Sequence, residues 1–287
     1  MQDILQLVVY GVITGSILAL GAIGVSLVFS ILRFAHFAHG DLMTVGAYGA
    51  LIVTASLGVG PLWGIPLGIV LTIAVAFAAE RLLYRPLRSS TPVILLISSF
   101  GVALILRSAI QLVAGPSIVS YKTGIQMPLV FEGIRIRPDH FWIVGGTFAI
   151  IIALHLFLTR TRFGKAMRAM ADNMDLARLS GIPASQMIMV TWAIAAALAA
   201  VAGVFLGMDT RLQPTVGWNL LLPVFAAAIV GGIGRPYGAI LGGFLIGIAM
   251  EVSTAFIDPG YKQSIAFMLL VLMLIVRPQG ILKGQTI

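Results

Sequence analysis

Three residues able to bind a metal fall close together in this chain: His36, His39 and Asp41. Two imidazoles and a carboxylate at such spacing could hold zinc. Nothing else supports a metal centre, because the chain has no Cys and its 10 Asp and Glu residues form no further cluster. A second stretch, Gly231-Gly232-Ile233-Gly234-Arg235-Pro236-Tyr237-Gly238, contains Gly-x-Gly. It has neither the preceding strand nor the lysine of a phosphate-cradling loop, and no Gly-x-x-x-x-Gly-Lys-Ser/Thr occurs anywhere, so the chain alone does not hydrolyse ATP by that route. Two charges stand inside apolar runs, Arg107 and Glu251. Charges at membrane depth face protein or water. These two are expected either to pair with each other or to snorkel to an interface, which suits Arg107 because Gly115 is near.

Those residues must be held by elements that live in lipid. Of 287 residues, 59% are hydrophobic and 10% charged, against about 25% charged in a soluble domain. The 38 residues from Leu42 to Ala79 contain no charge and no His, and Gly58-Val59-Gly60-Pro61 breaks them in the middle. That is room for two crossings. The apolar runs do not alternate, so helices are expected rather than a barrel. The fold class is therefore all-α: one polytopic transmembrane domain over 1–287. The N-terminus lacks the basic region of a signal peptide and reads as a retained first span. The net charge of +8 lies in short connectors and points to membrane orientation, not to nucleic acid.

Nine segments fit the hydrocarbon thickness: 5–31, 40–57, 62–83, 92–114, 140–159, 186–208, 217–233, 237–257 and 263–276. The second and seventh are Gly-interrupted, so the expectation is nine crossings, or eight with one broken or re-entrant segment. With the N-terminus outside, the inner connectors carry twelve basic residues: Arg33, Arg81, Arg85, Arg88, Arg160, Arg162, Lys165, Arg168, Arg178, Arg235, Arg277 and Lys283. The outer ones carry five: Lys122, Arg135, Arg137, Arg211 and Lys262. The bias places the N-terminus outside and the C-terminus inside. The outer connector 115–139, with three prolines, is expected to form a cap or short lateral helix.

Glycines recur every fourth residue in Gly60/Gly64/Gly68, Gly11/Gly15, Gly238/Gly242 and Gly243/Gly247. They permit close helix contact, or line a path. Between Phe37 and Ala50, Asp41 opens a helix, and Thr44 and Tyr48 share its face. This is a polar stripe toward a pore, or an N-cap with ordinary packing. The candidate pathway or gating residues are Gly40, Asp41, Thr44 and Tyr48, with Trp218, Asn219, Gly231 and Gly232 from the second interrupted region. The inner connector 160–185 is too polar to span. It reads as two short helices, the first with Phe163, Met167 and Met170 on one face and the second from Asp172 to Leu179. An exposed Met/Phe face would dock on a partner or lie on lipid.

Three blocks together resemble the LivH-type permease of branched-chain amino acid importers: Phe37–Ala50, the stretch from Phe163, and Gly231–Gly243. Within the second, Asp175-Leu176-Ala177-x-x-x-Gly181 is similar to the Glu-Ala-Ala-x-x-x-Gly loop of ATP-driven importer permeases, with Asp for Glu and Leu for Ala. The resemblance implies a multi-pass subunit of the bacterial inner membrane for leucine, isoleucine and valine, with relatives carrying urea or short amides. It implies a second permease (LivM-type, in a heterodimer), two cytoplasmic ATPases holding ATP and Mg, a periplasmic binding protein, and no catalytic residue or cofactor on this chain. It places ATPase coupling on Phe163, Gly164, Lys165, Ala166, Arg168, Ala169, Asp175, Ala177 and Gly181. The residues alone leave two alternatives. One is a self-sufficient channel or secondary transporter with 40–57 and 217–233 as inverted halves. The other is an intramembrane enzyme using His36, His39 and Asp41.

Overall fold

The structure, a computed structural model, describes residues 2–121, 127–131 and 133–284. Twelve helices follow in order among them: α1 (Gln2–Leu32), α2 (His39–Leu57), α3 (Ile65–Ala79), α4 (Arg85–Leu87), α5 (Pro92–Ala114), α6 (Pro138–Arg160), α7 (Arg162–Asp172), α8 (Met174–Leu179), α9 (Ala184–Asp209), α10 (Val216–Gly231), α11 (Pro236–Ser253) and α12 (Lys262–Val276). A 3-10 turn at Pro61–Gly64 leads into α3 and a π-helical stretch at Glu80–Tyr84 joins α3 to α4, so that Pro61–Leu87 is one rod. Eight helical segments among the described residues are long and apolar enough to cross a membrane, and α10 is a shorter apolar helix. At 1.5 Å per residue its 16 residues reach about 24 Å, short of a bilayer core of about 30 Å.

Helices α1 and α9 form the centre: 89% and 72% of their most apolar windows are buried, against 6% for the last span. Around them α1 packs on α11, α9 packs on α2 and α3, and α10 lies against α2, α11 and α12. The paired glycines explain the tightest seam. A Cβ on Gly15 would stand 2.9 Å from the Phe244 Cα, and one on Gly11 would stand 2.6 Å from the Ile248 Cα. Lipid offers no hydrophobic drive between helices, so such backbone contact supplies the packing. Gly15→Val is expected to lower stability by about 1–3 kcal/mol, the usual penalty of overpacking. Thermal unfolding in detergent checks this. Gly64 and Gly68 meet Ala50 and Gly46 of α2 in the same manner, whereas Gly60 of that series faces open space.

Two expectations are corrected. Of the cap or lateral helix expected of connector 115–139, the lateral helix is absent among the described residues before α6 opens at Pro138. The connector pairs Val119 with Leu212 and forms a small antiparallel hairpin, β1 (Leu129–Phe131) with β2 (Ile134–Ile136), because Gly133 supplies a left-handed turn at φ 88°. Lys122, expected on the outer side, lies outside the described residues. Helix α7 does not expose its methionines. Met167 and Met170 are buried against the bundle and only Phe163 of that set is half exposed.

Candidate functional site: a junction of two broken helices

Helix α2 does not begin at the end of α1. Arg33 turns out of α1 with φ 57°, and 33–38 then runs as irregular chain into the bundle. His39 reaches Gly24, about 12 Å before the end of α1. Irregular backbone at such depth survives only where protein satisfies it. Here Ser99 of α5 accepts the Phe37 N–H at 3.0 Å, while its hydroxyl donates to Leu96 O at 2.7 Å with Ala35 O as a longer alternative at 3.4 Å. The first turn of α2 therefore opens inside the bundle. The first turn of α10 opens beside it: a Cβ on Gly40 would sit 2.5 Å from the Gly217 carbonyl oxygen, and Thr44 Oγ1 accepts the Gly217 N–H at 3.1 Å. Two helix N-termini, each with the positive end of its dipole, meet there.

Asp41 lies in that first turn, fully buried. Arg107 Nε and a terminal guanidinium nitrogen donate to its two oxygens, both at 3.2 Å. The guanidinium carbon stands 4.3 Å from the Trp218 ring centroid, and Phe100 meets Trp218 edge-on at 5.6 Å. The bidentate fork and the cation–π contact together hold one arginine pose. Asn219 follows, exposed, its carbonyl accepting from Gln263 Nε2 at 3.2 Å. The Arg107 side chain is 15% exposed and that of Asp41 not at all. Arg107 is roughly two turns from the end of α5 at Ala114, and its partner is Asp41, not Glu251. Glu251 instead binds Lys262 Nζ at 2.8 and 2.9 Å and accepts from Thr14 at 3.1 Å.

The structure thus brings together Gly40, Asp41, Thr44 and Trp218, while Asn219 beside them in sequence contacts α12 instead. Tyr48, two turns on, is buried with its hydroxyl unpartnered among the described residues. Beside it Tyr121 donates to Ala47 O at 2.8 Å, and burial pushes its hydroxyl pKa up, which keeps it a donor. Gly231 and Gly232 are elsewhere. They form the buried α10–α11 turn, covered by the C-terminal segment through Ile281 N–H to Val230 O and Leu282 N–H to Gly231 O. The three possible metal ligands diverge. Asp41 turns to Arg107, while His36 sits in an aromatic cage with its Nδ1 3.4 Å from Tyr84 OH and its ring 4.9 Å from Trp192. Tyr84 stacks on Trp192, whose Nε1 donates to Glu80 at 2.8 Å, and Glu80 pairs with Arg88. The π-helical stretch turns Glu80 and Tyr84 inward.

On the basic face, α7 is capped by Thr161, which accepts the Gly164 N–H at 3.0 Å, and Gly164 packs on α6 without room for a side chain. Lys165 and Arg168 are exposed, and Ala166 and Ala169 are half-buried. Asn173 caps α8 through the Asp175 and Leu176 N–H groups. Asp175 is exposed and Ala177 buried. Gly181, at φ 83°, ends the helix. Leu176 and Leu179 project outward, 62% and 85% exposed. One contact ties this hairpin to the junction: Arg33, where the irregular segment starts, donates to Ala171 O of α7 at 2.8 Å.

Residue reasoning missed the Asp41–Arg107 and Glu251–Lys262 pairs. The lone charges were visible, but a partner on another helix has no spacing signal.

The family model described as branched-chain amino acid transport system / permease component matches residues 7–275. The chain is 37% identical to the high-affinity branched-chain amino acid transport system permease protein BraD of Pseudomonas aeruginosa, covering 97% of this chain and 95% of that protein. It is 36% identical to permease protein LivH of Escherichia coli over the same shares. A probable LivH of Methanocaldococcus jannaschii is 30% identical over 94% and 90%. Among solved structures, PsaBC from Streptococcus pneumoniae in complex with Fab has the same fold, with TM-score 0.53 at 14% identity over 94% of this chain and 91% of that one. The chain belongs to the branched-chain amino acid transport system permease family.

Proposed function

We propose that this chain is a membrane subunit of an ATP-driven importer for leucine, isoleucine and valine. Its N-terminus and the β1–β2 hairpin face the periplasm; α7, α8 and the C-terminus face the cytoplasm. It pairs with a second permease, two ATPases that bring ATP and Mg, and a periplasmic binding protein, in the inner membrane of its cell. The junction of α2 and α10 lines the path where the two permeases meet. The observation that carries this reading is the 15% exposure of Arg107 at depth. A guanidinium there costs several kcal/mol against hydrocarbon, so its open side faces water or protein. The names of the relatives support the cargo.

Coupling follows from the connected parts. An ATPase dimer closing on α7–α8 moves the Ala171 carbonyl, and with it Arg33 and the irregular segment 33–38 that leads into the first turn of α2, where Asp41 stands. Irregular chain can be re-set at lower cost than a packed helix. Two packings of the junction, biased by nucleotide, give inward and outward states. The junction needs only weak affinity, since the binding protein supplies selectivity.

The opposed N-termini of α2 and α10 also fit a self-sufficient channel or secondary transporter. Reconstitution separates the two. Leucine uptake into proteoliposomes should require ATPases, ATP and binding protein together, and deleting 160–185 should abolish it while leaving the chain inserted. Uptake by this chain without any ATPase would favour the channel.

A further inference from the structure

We propose that the outer face carries a second amino-acid site, sharing no residue with the Asp41–Arg107 junction, that holds the zwitterionic backbone of an aliphatic amino acid. The site is a cavity of about 400 Å³ where α1, α6, α9, α11 and α12 come together, within the usual range for small-ligand sites of roughly 300–1,000 Å³. It rests on the reading of the cargo as an amino acid.

Two ion pairs line it. Lys262 holds Glu251 at 2.8 Å, and Arg137 holds Asp209 at 2.6 Å. An α-amino acid carries one carboxylate and one ammonium. It can therefore enter between two such pairs, its carboxylate taken by Lys262 and Arg137 and its ammonium by Glu251 and Asp209, so that all four paired charges keep a partner; Arg135 adds a third cation to the same lining. A simple anion or a simple amine would leave one protein charge in each pair without a partner. The cationic ends are 34% and 37% exposed, so each can swing to a ligand carboxylate on its flexible stem while the ligand ammonium takes its place at the enclosed carboxylate. The carboxylate of Glu251 is better enclosed, 11% exposed, and Thr14 fixes one of its oxygens.

The remaining wall is apolar in part: the Tyr10 ring and Pro128 line it, while Ile13 on the same face of α1 is almost wholly covered. Tyr10, Ile13 and Thr14 of α1 lie at i, i+3 and i+4 on one helix face. The Tyr10 ring is held edge-on to His140 at 6.0 Å. His140 in turn accepts from Arg137 Nε at 3.0 Å, so the ring and the guanidinium are positioned as a unit. Both charges of the ligand and its apolar end therefore have a counterpart in one cavity.

The test uses the assembled transporter in nanodiscs without binding protein or nucleotide, with tritiated leucine as probe. Binding should be saturable and displaced by valine. Isocaproate, which lacks the ammonium, and isoamylamine, which lacks the carboxylate, should each compete at least about tenfold less well, the effect of one lost charge-assisted contact. The double variant Glu251→Gln/Lys262→Gln removes both charges at once, so no buried ion is stranded, and it should bind leucine at least about tenfold more weakly. Equal competition by either analogue, or unchanged binding by the double variant, overturns the site. So does absence of saturable binding while binding-protein-dependent leucine uptake persists. If the transporter carries some other solute and no leucine, the cargo assignment falls and this site with it.

Discussion

Arg107→Met is expected to unfold at lower temperature, by the equivalent of about 3–5 kcal/mol, and to lose leucine uptake. The stability loss follows from what is left behind: Asp41 has no exposed surface, and a buried carboxylate stripped of its cation is among the costliest single defects. The informative variant is the double one, Asp41→Leu with Arg107→Met. With neither charge present, apolar groups fill the site and most of the stability should return. Transport should not return. Trp218 would have lost the cation at 4.3 Å that sets its ring, and the open side of the junction, proposed above to line the path, would be apolar toward a zwitterion. ATP-driven uptake below about a tenth of wild type, with wild-type-like melting, is the expected pair of results. A double variant that both melts and transports as wild type would reduce the junction to packing.

The boundaries of the apolar segments were legible because hydrocarbon thickness is a hard ruler. The segments at 92–114 and 217–233 became α5 at Pro92–Ala114 and α10 at Val216–Gly231. That 40–57 and 217–233 are Gly-interrupted was legible too. Their meeting was not, because hydropathy carries no information on which helices touch. Asp41 and Arg107 are 66 residues apart, and nothing in local spacing links them. Glu251 and Lys262 are 11 residues apart, yet they lie on different helices across a turn, so helical periodicity does not pair them either. The methionine face of α7 shows a different limit. An amphipathic helix has the same pattern whether its apolar side meets its own bundle or a partner, and here Met167 and Met170 face inward.

That reversal moves the expected contact with the ATPase to α8. Leu176→Glu together with Leu179→Glu should cut ATP-driven uptake more than about tenfold, and should leave the melting of this chain within about 0.5 kcal/mol of wild type. Neither leucine is covered by the chain itself, at 62% and 85% exposed, so their replacement exposes nothing and opens no cavity. The six residues of α8 keep their shape independently of them, through the Asn173 cap at one end and Gly181 at the other. An exposed pair of leucines on a rigidly capped turn is the kind of anchor that fills a pocket on a partner, and truncating such anchors costs binding about 2 kcal/mol or more. Met167→Glu is the contrast: with its side chain 2% exposed, a buried charge should lower the melting temperature first, and transport only as a consequence. Co-purification of the ATPases with each variant separates the two effects. If the leucine variant retains both its ATPases and its uptake, α8 is not the handle, and the drive reaches Arg33 through the basic surface of α7 instead.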